Sequence, residues 1–125
     1  MRAALFDAVE GHAALRGAIN GVYFETPERA SVPYALIGEL AARDWGTKDA
    51  RGREARLSVT IVEDAVRGAR LVELVGEAEA AIEAMPREIG AWRVASLAFV
   101  RSAVLAAKGG ERRAVVEYRV RVLEI

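Results

Sequence analysis

The run "REARLSVTIVE", residues 53–63, leaves this chain little conformational choice. Ala55, Leu57, Val59 and Ile61 alternate with Glu54, Arg56, Ser58 and Thr60. Successive side chains of an extended chain point to opposite faces, so a period of two over this length is a strand with one apolar face and one polar face. The closing run "AVVEYRVRVLEI" repeats the pattern. Ala114, Val116, Tyr118, Val120 and Val122 face one way, and Val115, Glu117, Arg119, Arg121 and Leu123 the other. Two half-apolar strands need a cover, and the rest of the chain must supply it.

The clearest cover lies between them. Over residues 65–85, Leu71, Leu74, Val75, Ala78, Ile82 and Met85 recur at steps of three and four, which places them in one stripe on a helix. Glu73, Glu77, Glu79 and Glu83 fall mostly off the stripe, Asp64 is placed to cap the N-terminus, and Pro86 stops the helix. A weaker helical pattern opens the chain, with Leu5, Phe6 and Val9 on one face and Leu15 and Ile19 following. Gly11 and Gly17 each lower helix propensity by about 1 kcal/mol relative to alanine. The expectation is a helix ending near Glu10 and a short second turn over 12–18.

Asn20-Gly21 turns the chain into a short strand, "VYF", and Pro27 and Pro33 punctuate a loop over 25–33. "YALIGEL", 34–40, reads as a strand with Tyr34, Leu36 and Leu40 on one face and Gly38 marking a bend or bulge there. Residues 91–106 read as a long strand. Without a bulge, Val94, Ala98, Val100 and Val104 share one face and Leu97, Phe99 and Leu105 the other. Gly109 and Gly110 can take the positive φ that a tight return needs. The order is helix, short strand, strand, strand, helix, strand, strand. The reading is a single α+β domain over residues 1–125, an antiparallel β-sheet with a long helix and an N-terminal helix packed against it.

The chemistry the sequence excludes is as informative. A chain of 125 residues that is 53% hydrophobic can bury a real core. Its 18 basic and 18 acidic residues cancel, so no bulk field draws in nucleic acid. The absence of cysteine removes disulfides and thiolate metal sites. No apolar run approaches the ~20 residues of a membrane span, and Asp7, Glu10 and His12 interrupt the N-terminal stretch, so a protein made and first kept in the cytoplasm is expected. The segment "RDWGTKDARGRE", 43–54, has the composition of a phosphate-binding loop but not its order. Thr47 precedes Lys48 and a strand follows, where a phosphate loop needs its lysine and hydroxyl at the start of a helix. It reads as the tip of a hairpin. His12 stands alone, and Ser58, Ser96 and Ser102 lack the glycines of a nucleophile elbow. No catalytic, cofactor-binding or metal-binding residue is expected.

Two features are left over. The strand at 91–106 is apolar on both faces, so its second face meets either the N-terminal helix or a neighbouring segment of the same chain, or another subunit. The polar faces of two strands carry mixed charge, Glu54 and Arg56 on one and Glu117, Arg119 and Arg121 on the other. If adjacent, these pair across the sheet. The alternative is a set of inter-subunit ion pairs, with Arg56, Glu117, Arg119 and Arg121 as candidate subunit contacts that set register more than strength.

Taken in order, the early "GVYF", the strand entry "VPYALIGE", the loop "DWGTKDARGREARLSVTIVED" and the closing "GGERRAVVEYRVRVLEI" cover nearly all of the chain. The pattern resembles the tail completion, or tail terminator, proteins of long-tailed bacteriophages and phage-like gene transfer agents. That resemblance implies a structural virion protein: a ring, commonly of six copies, at the head-proximal end of the tail tube, where it ends tube polymerisation and offers the docking surface for the head connector. The implied partners are further copies of the chain, the tail tube protein and the connector or stopper protein. DNA passes through the centre without specific binding, no membrane or cofactor is involved, and the protein resides at the head–tail junction of the virion after assembly in the host cytoplasm. In such a role Trp45, Lys48, Asp49 and Arg51 form a docking loop, because the tip combines both charges with an aromatic of the kind that anchors interfaces. The alternative for the loop is a flexible tip with Trp45 folded back on the core. The alternatives for the whole chain are a small non-catalytic binding or regulatory module, or a small enzyme, of the same α+β fold.

Overall fold

The alternating run becomes β3 (Gly52–Asp64) at the middle of the sheet in a computed structural model, which describes residues 1–67, 69–106 and 108–125, with side chains at all of these but Leu40 and Ala41. Before it come α1 (Arg2–Gly11), α2 (Ala13–Arg16), β1 (Val22–Tyr23) and β2 (Tyr34–Asp44); after it come a 3-10 turn (Ala65–Arg67), α3 (Ala69–Glu83), β4 (Glu88–Ile89), β5 (Trp92–Val104) and β6 (Glu111–Glu124). The strand order is β1-β2-β3-β6-β5-β4. The two alternating strands, β3 and β6, pair antiparallel without interruption from Gly52↔Leu123 to Asp64↔Glu111. Their apolar faces therefore coincide: Leu57 lies opposite Tyr118 and Val59 opposite Val116.

α3 supplies the expected cover. Leu71, Leu74, Ala78 and Ile82 are buried with Met85 just beyond the helix, and they join Leu57, Val59, Ile61, Val116 and Val120 in one core. Each large aliphatic so buried contributes about 1.5–3 kcal/mol. The N-terminal helix, ending one residue past the expected point, puts Leu5 and Val9 into the same core, and Leu15 and Ile19 follow from α2 and the turn after it. All the helices thus lie on one side of the sheet. The N-terminal helix does not cover the second face, which is open over part of its area; at one end Tyr34 and Val62, on that face, are buried.

Several local expectations are corrected. β1 pairs with β2 in parallel, so the sheet is mixed rather than wholly antiparallel, and β4 adds a two-residue strand at the far edge. Asp64 caps the 3-10 turn, its Oδ1 accepting the Val66 N–H at 2.8 Å, rather than α3 itself. Positions 68 and 107, inside the expected helix and turn, lie outside the described residues. On β2, Ala35 and Ile37 face the helices, opposite Ile61 and Val59, so Tyr34 and Leu36 point to the open face; the Leu40 side chain is not among those described. Gly38 stays in register with Ser58, and the irregularity falls between Leu40 and Arg43. Two bulges interrupt β5, between Val94 and Ser96 and between Phe99 and Arg101. Each extra residue reverses the facing of the residues beyond it. Val94, Leu97, Phe99 and Val104 consequently lie opposite helix-side residues of β6 (Val122, Val120, Tyr118 and Ala114), and Ala98 lies opposite Arg119 on the open face.

Candidate functional site

The tip joining β2 to β3 is held by its own polar groups. Asp44 Oδ1 accepts the Gly46 N–H at 3.2 Å, and Thr47 Oγ1 accepts the N–H groups of Asp49 and Ala50 at 3.3 and 3.2 Å. The Thr47 N–H donates to the Ala50 carbonyl at 2.8 Å, closing a tight turn. A Cβ on Gly46 would stand 2.9 Å from the Ala50 carbonyl oxygen and 3.0 Å from the Gly52 nitrogen, so the close approach of the backbone requires glycine. The threonine and glycine that lend this segment the look of a phosphate loop hold a hairpin tip in shape.

The structure divides the four loop residues. Trp45 is half-buried, with the Arg121 guanidinium 5.3 Å from its ring centroid. Lys48, Asp49 and Arg51 are exposed. The Arg51 carbonyl accepts the Glu124 N–H at 2.8 Å and its Nη1 lies 3.8 Å from Glu124 Oε2, which ties the tip to the end of β6. Trp45 therefore stands half-buried at the base of the tip, its backbone N–H donating to the Gly52 carbonyl at 3.2 Å, and the three charged residues crown the tip.

The open face holds the other predicted residues. Glu54 and Glu117 are only 6% and 8% exposed, and each is clasped by two arginines. Arg121 Nε and Arg43 Nη2 donate to Glu54 at 2.9 and 2.8 Å. Arg56 Nη1 donates to Glu117 at 2.6 Å, with Arg101 Nε 3.6 Å from its other oxygen. The hydrogen bond from Arg121, and then the charge and hydrogen bond of Arg43, hold the Glu54 carboxyl below its ordinary value of 4.5 against the opposing effect of desolvation. Arg56 lies directly opposite Arg119 in register, a like-charge pair that disfavours itself. Arg56 relieves it by reaching diagonally to Glu117, while Arg119 Nε has no partner among the described residues. Arg43, Arg56, Arg101, Arg119 and Arg121 surround two carboxylates, so the face is net positive in a chain that is neutral overall.

The expected pairing across the sheet is thus present within one chain. Arg43 and Arg101 were not expected in the cluster. Arg43 belongs to the loop stretch in sequence, and Arg101 lies on β5 opposite Glu117.

A cleft of about 390 Å³ between α1 and the end of α3 is lined by Ala4, Ala8, Gly11, Ala81, Ala84 and Pro86, with Asp7 and His12 at its rim. His12 Nε2 lies 2.7 Å from Glu77 Oε2, so the lone histidine links the first helical segment to α3. Among the described residues no cluster of three or more histidine, aspartate or glutamate side chains could hold a metal ion, and no helix is long and apolar enough to cross a membrane.

The family described as Tail completion protein gp17 matches residues 3–123. No curated protein matches the chain. Among solved structures, a chain from the virion of a native gene transfer agent particle is similar in fold, with a TM-score of 0.77, 22% identity, and coverage of 98% of this chain and 94% of that one.

Proposed function

Because the chain belongs to the tail completion protein gp17 family and is a structural protein of a phage-type tail, we propose that it forms a ring at the head-proximal end of the tail tube, ends tube polymerisation and presents the surface on which the head connector docks. The family match over residues 3–123 is the observation that carries this reading. Similarity of fold to a chain from the virion of a native gene transfer agent particle supports the same setting, and in the proposed ring DNA passes through the centre. The ring consists of six copies of this chain and meets the tube protein on one side and the connector on the other. No step in this role transforms a molecule.

Within that role the hairpin tip is the docking element. Lys48, Asp49 and Arg51 present charge of both signs on a preformed turn, which keeps the entropic cost of binding low. Trp45 anchors the base of the tip against Arg121. Arg56, Glu117, Arg119 and Arg121 align adjacent copies. Their carboxylate is already satisfied within the chain, so they set register more than strength.

Particles made without the protein test the ring. The expected result is tubes of irregular length and full heads left unjoined; uniform tubes capped by full heads overturn it. The Trp45→Ala variant tests the tip. It is expected to keep the wild-type far-UV circular dichroism and to weaken joining of heads to tails by roughly 30-fold, as for an interface anchor worth about 2 kcal/mol. Normal joining removes the tip from the mechanism.

A further inference from the structure

The sheet has two unsatisfied edges. β4 pairs only with Trp92 and Arg93, and the Val94 N–H donates to the Arg87 carbonyl. From 95 to 104 the outer edge of β5 has no partner among the described residues. An antiparallel strand directs the backbone groups of alternate residues to each side, so about five residues there face outward unpaired. Phe99 and Val104 on this edge are 53% and 56% exposed, and Val100 and Leu105 are exposed with them. A long apolar edge of this kind templates pairing with another chain, and proteins that stay apart blunt it with charge, proline or a covering segment. Here only one end is covered. At the opposite side of the sheet β1 covers Ala35 and Leu36 of β2 and leaves 37–44 without an outer partner among the described residues.

We propose that the free edge of β5 in one copy pairs antiparallel with the free edge of β2 in the next, so that one sheet continues from subunit to subunit. The proposal rests on the ring reading and names the surfaces that close it. Strand direction permits it. β2, β3, β6 and β5 are antiparallel in turn, so β5 runs opposite to β2. A rotation about an axis along the strands therefore sets them side by side as an antiparallel pair, with the helices of both copies on the same side. The contact is heterologous, one edge meeting a different edge, which is the kind that closes rings.

Such a rotation preserves height along the strands, and this fixes who meets whom. Through β3 and β6, Glu39 is level with Phe99, Arg43 with Ser96, Gly38 with Arg101, and Ala35 with Val104. Arg101 thus arrives opposite Gly38, where the Ser58 hydroxyl fills the place of the missing side chain. Val104 and Leu105 arrive where β1 blocks the edge of β2 and the exposed Phe24 follows. Exposed apolar groups of one copy are then covered by an exposed apolar group of the next.

The chain contains no cysteine, so introduced thiols report the contact alone. Within one copy, β3 and β6 separate β2 from β5 by about 14 Å, three strand spacings, which is beyond disulfide reach. The double variant Glu39→Cys/Phe99→Cys, assembled on purified tail tubes and oxidised, is expected to give a covalent ladder ending at the full ring on a denaturing gel. Arg43→Cys/Ser96→Cys gives the same ladder from the open face and stands in if loss of Phe99 unfolds the first. The height-mismatched pair Asp44→Cys/Phe99→Cys gives none. Light scattering of the free wild-type protein, and its copy number on tube ends, report the ring independently. A ring with no ladder from either matched pair overturns the edge pairing and leaves the ring reading standing. Covalent dimers from Phe99→Cys alone show β5 pairing with itself and also overturn it. Absence of any ring, free or on tubes, overturns both.

Discussion

Glu54 shows how much the open face depends on proton balance. Its carboxylate accepts from Arg121 and Arg43, and those partners lower its pKa in the folded chain. The stability it contributes is fully present above its ordinary value of 4.5 and is lost as the pH falls through the lower folded value. Urea unfolding of Glu54→Gln is therefore expected to show a flatter acid limb than the wild type, with the two curves parallel near neutrality. An acid limb of unchanged slope assigns the acid sensitivity to another carboxylate. At this scale the sequence specifies charge types and facing but not partners. Glu54, Arg56, Glu117, Arg119 and Arg121 visibly share polar faces of two strands. That Arg56 faces Arg119 and turns to Glu117 follows from register, which depends on how the two strands are brought together by everything between them.

At the scale of elements, the tight return between β5 and β6 is the most legible feature. Gly109 and Gly110 have φ of 61° and 81°, both in the left-handed region, and Lys108 and Glu111 exchange two backbone hydrogen bonds across them. This is the mirror-image turn whose twist suits a hairpin, and glycine enters it without steric cost. Gly110→Val is expected to lower unfolding stability by about 1–2 kcal/mol, the cost of a side chain in that region, measured by urea titration. An unchanged midpoint means the turn re-forms with different geometry. The β2–β3 tip was legible as a tip but not as a built one, since its order depends on Thr47 bonding residues two and three positions on. The β5 bulges were not legible. Val, Ala, Phe and Ser all tolerate either face of a strand, so nothing in residues 91–106 marks where an extra residue enters; the faces assigned without bulges are wrong for Leu97, Ala98 and Phe99, between the two bulges, and the second bulge returns Val104 to the side of Val94.

As a whole molecule the chain has one core on one side of one sheet, built from α1, α2, α3 and the four inner strands. Leu57 is fully buried at its centre. Leu57→Ala is expected to cost about 2–5 kcal/mol. Because a single core of this size unfolds as a unit, tryptophan fluorescence and far-UV circular dichroism should report one shifted transition. Separate midpoints for the two probes imply that the helical layer and the sheet melt independently. The sequence by itself determined the elements that period and punctuation specify: the alternating strands β3 and β6, the amphipathic α3, the glycine turn and the α+β class, because a strand or helix facing one core writes its own period into the chain. Only the tertiary structure decided which side the N-terminal helix covers, which edges stay open and which arginines surround each glutamate. Those depend on contacts between segments far apart in the chain, and no local pattern encodes the order in which strands lie side by side.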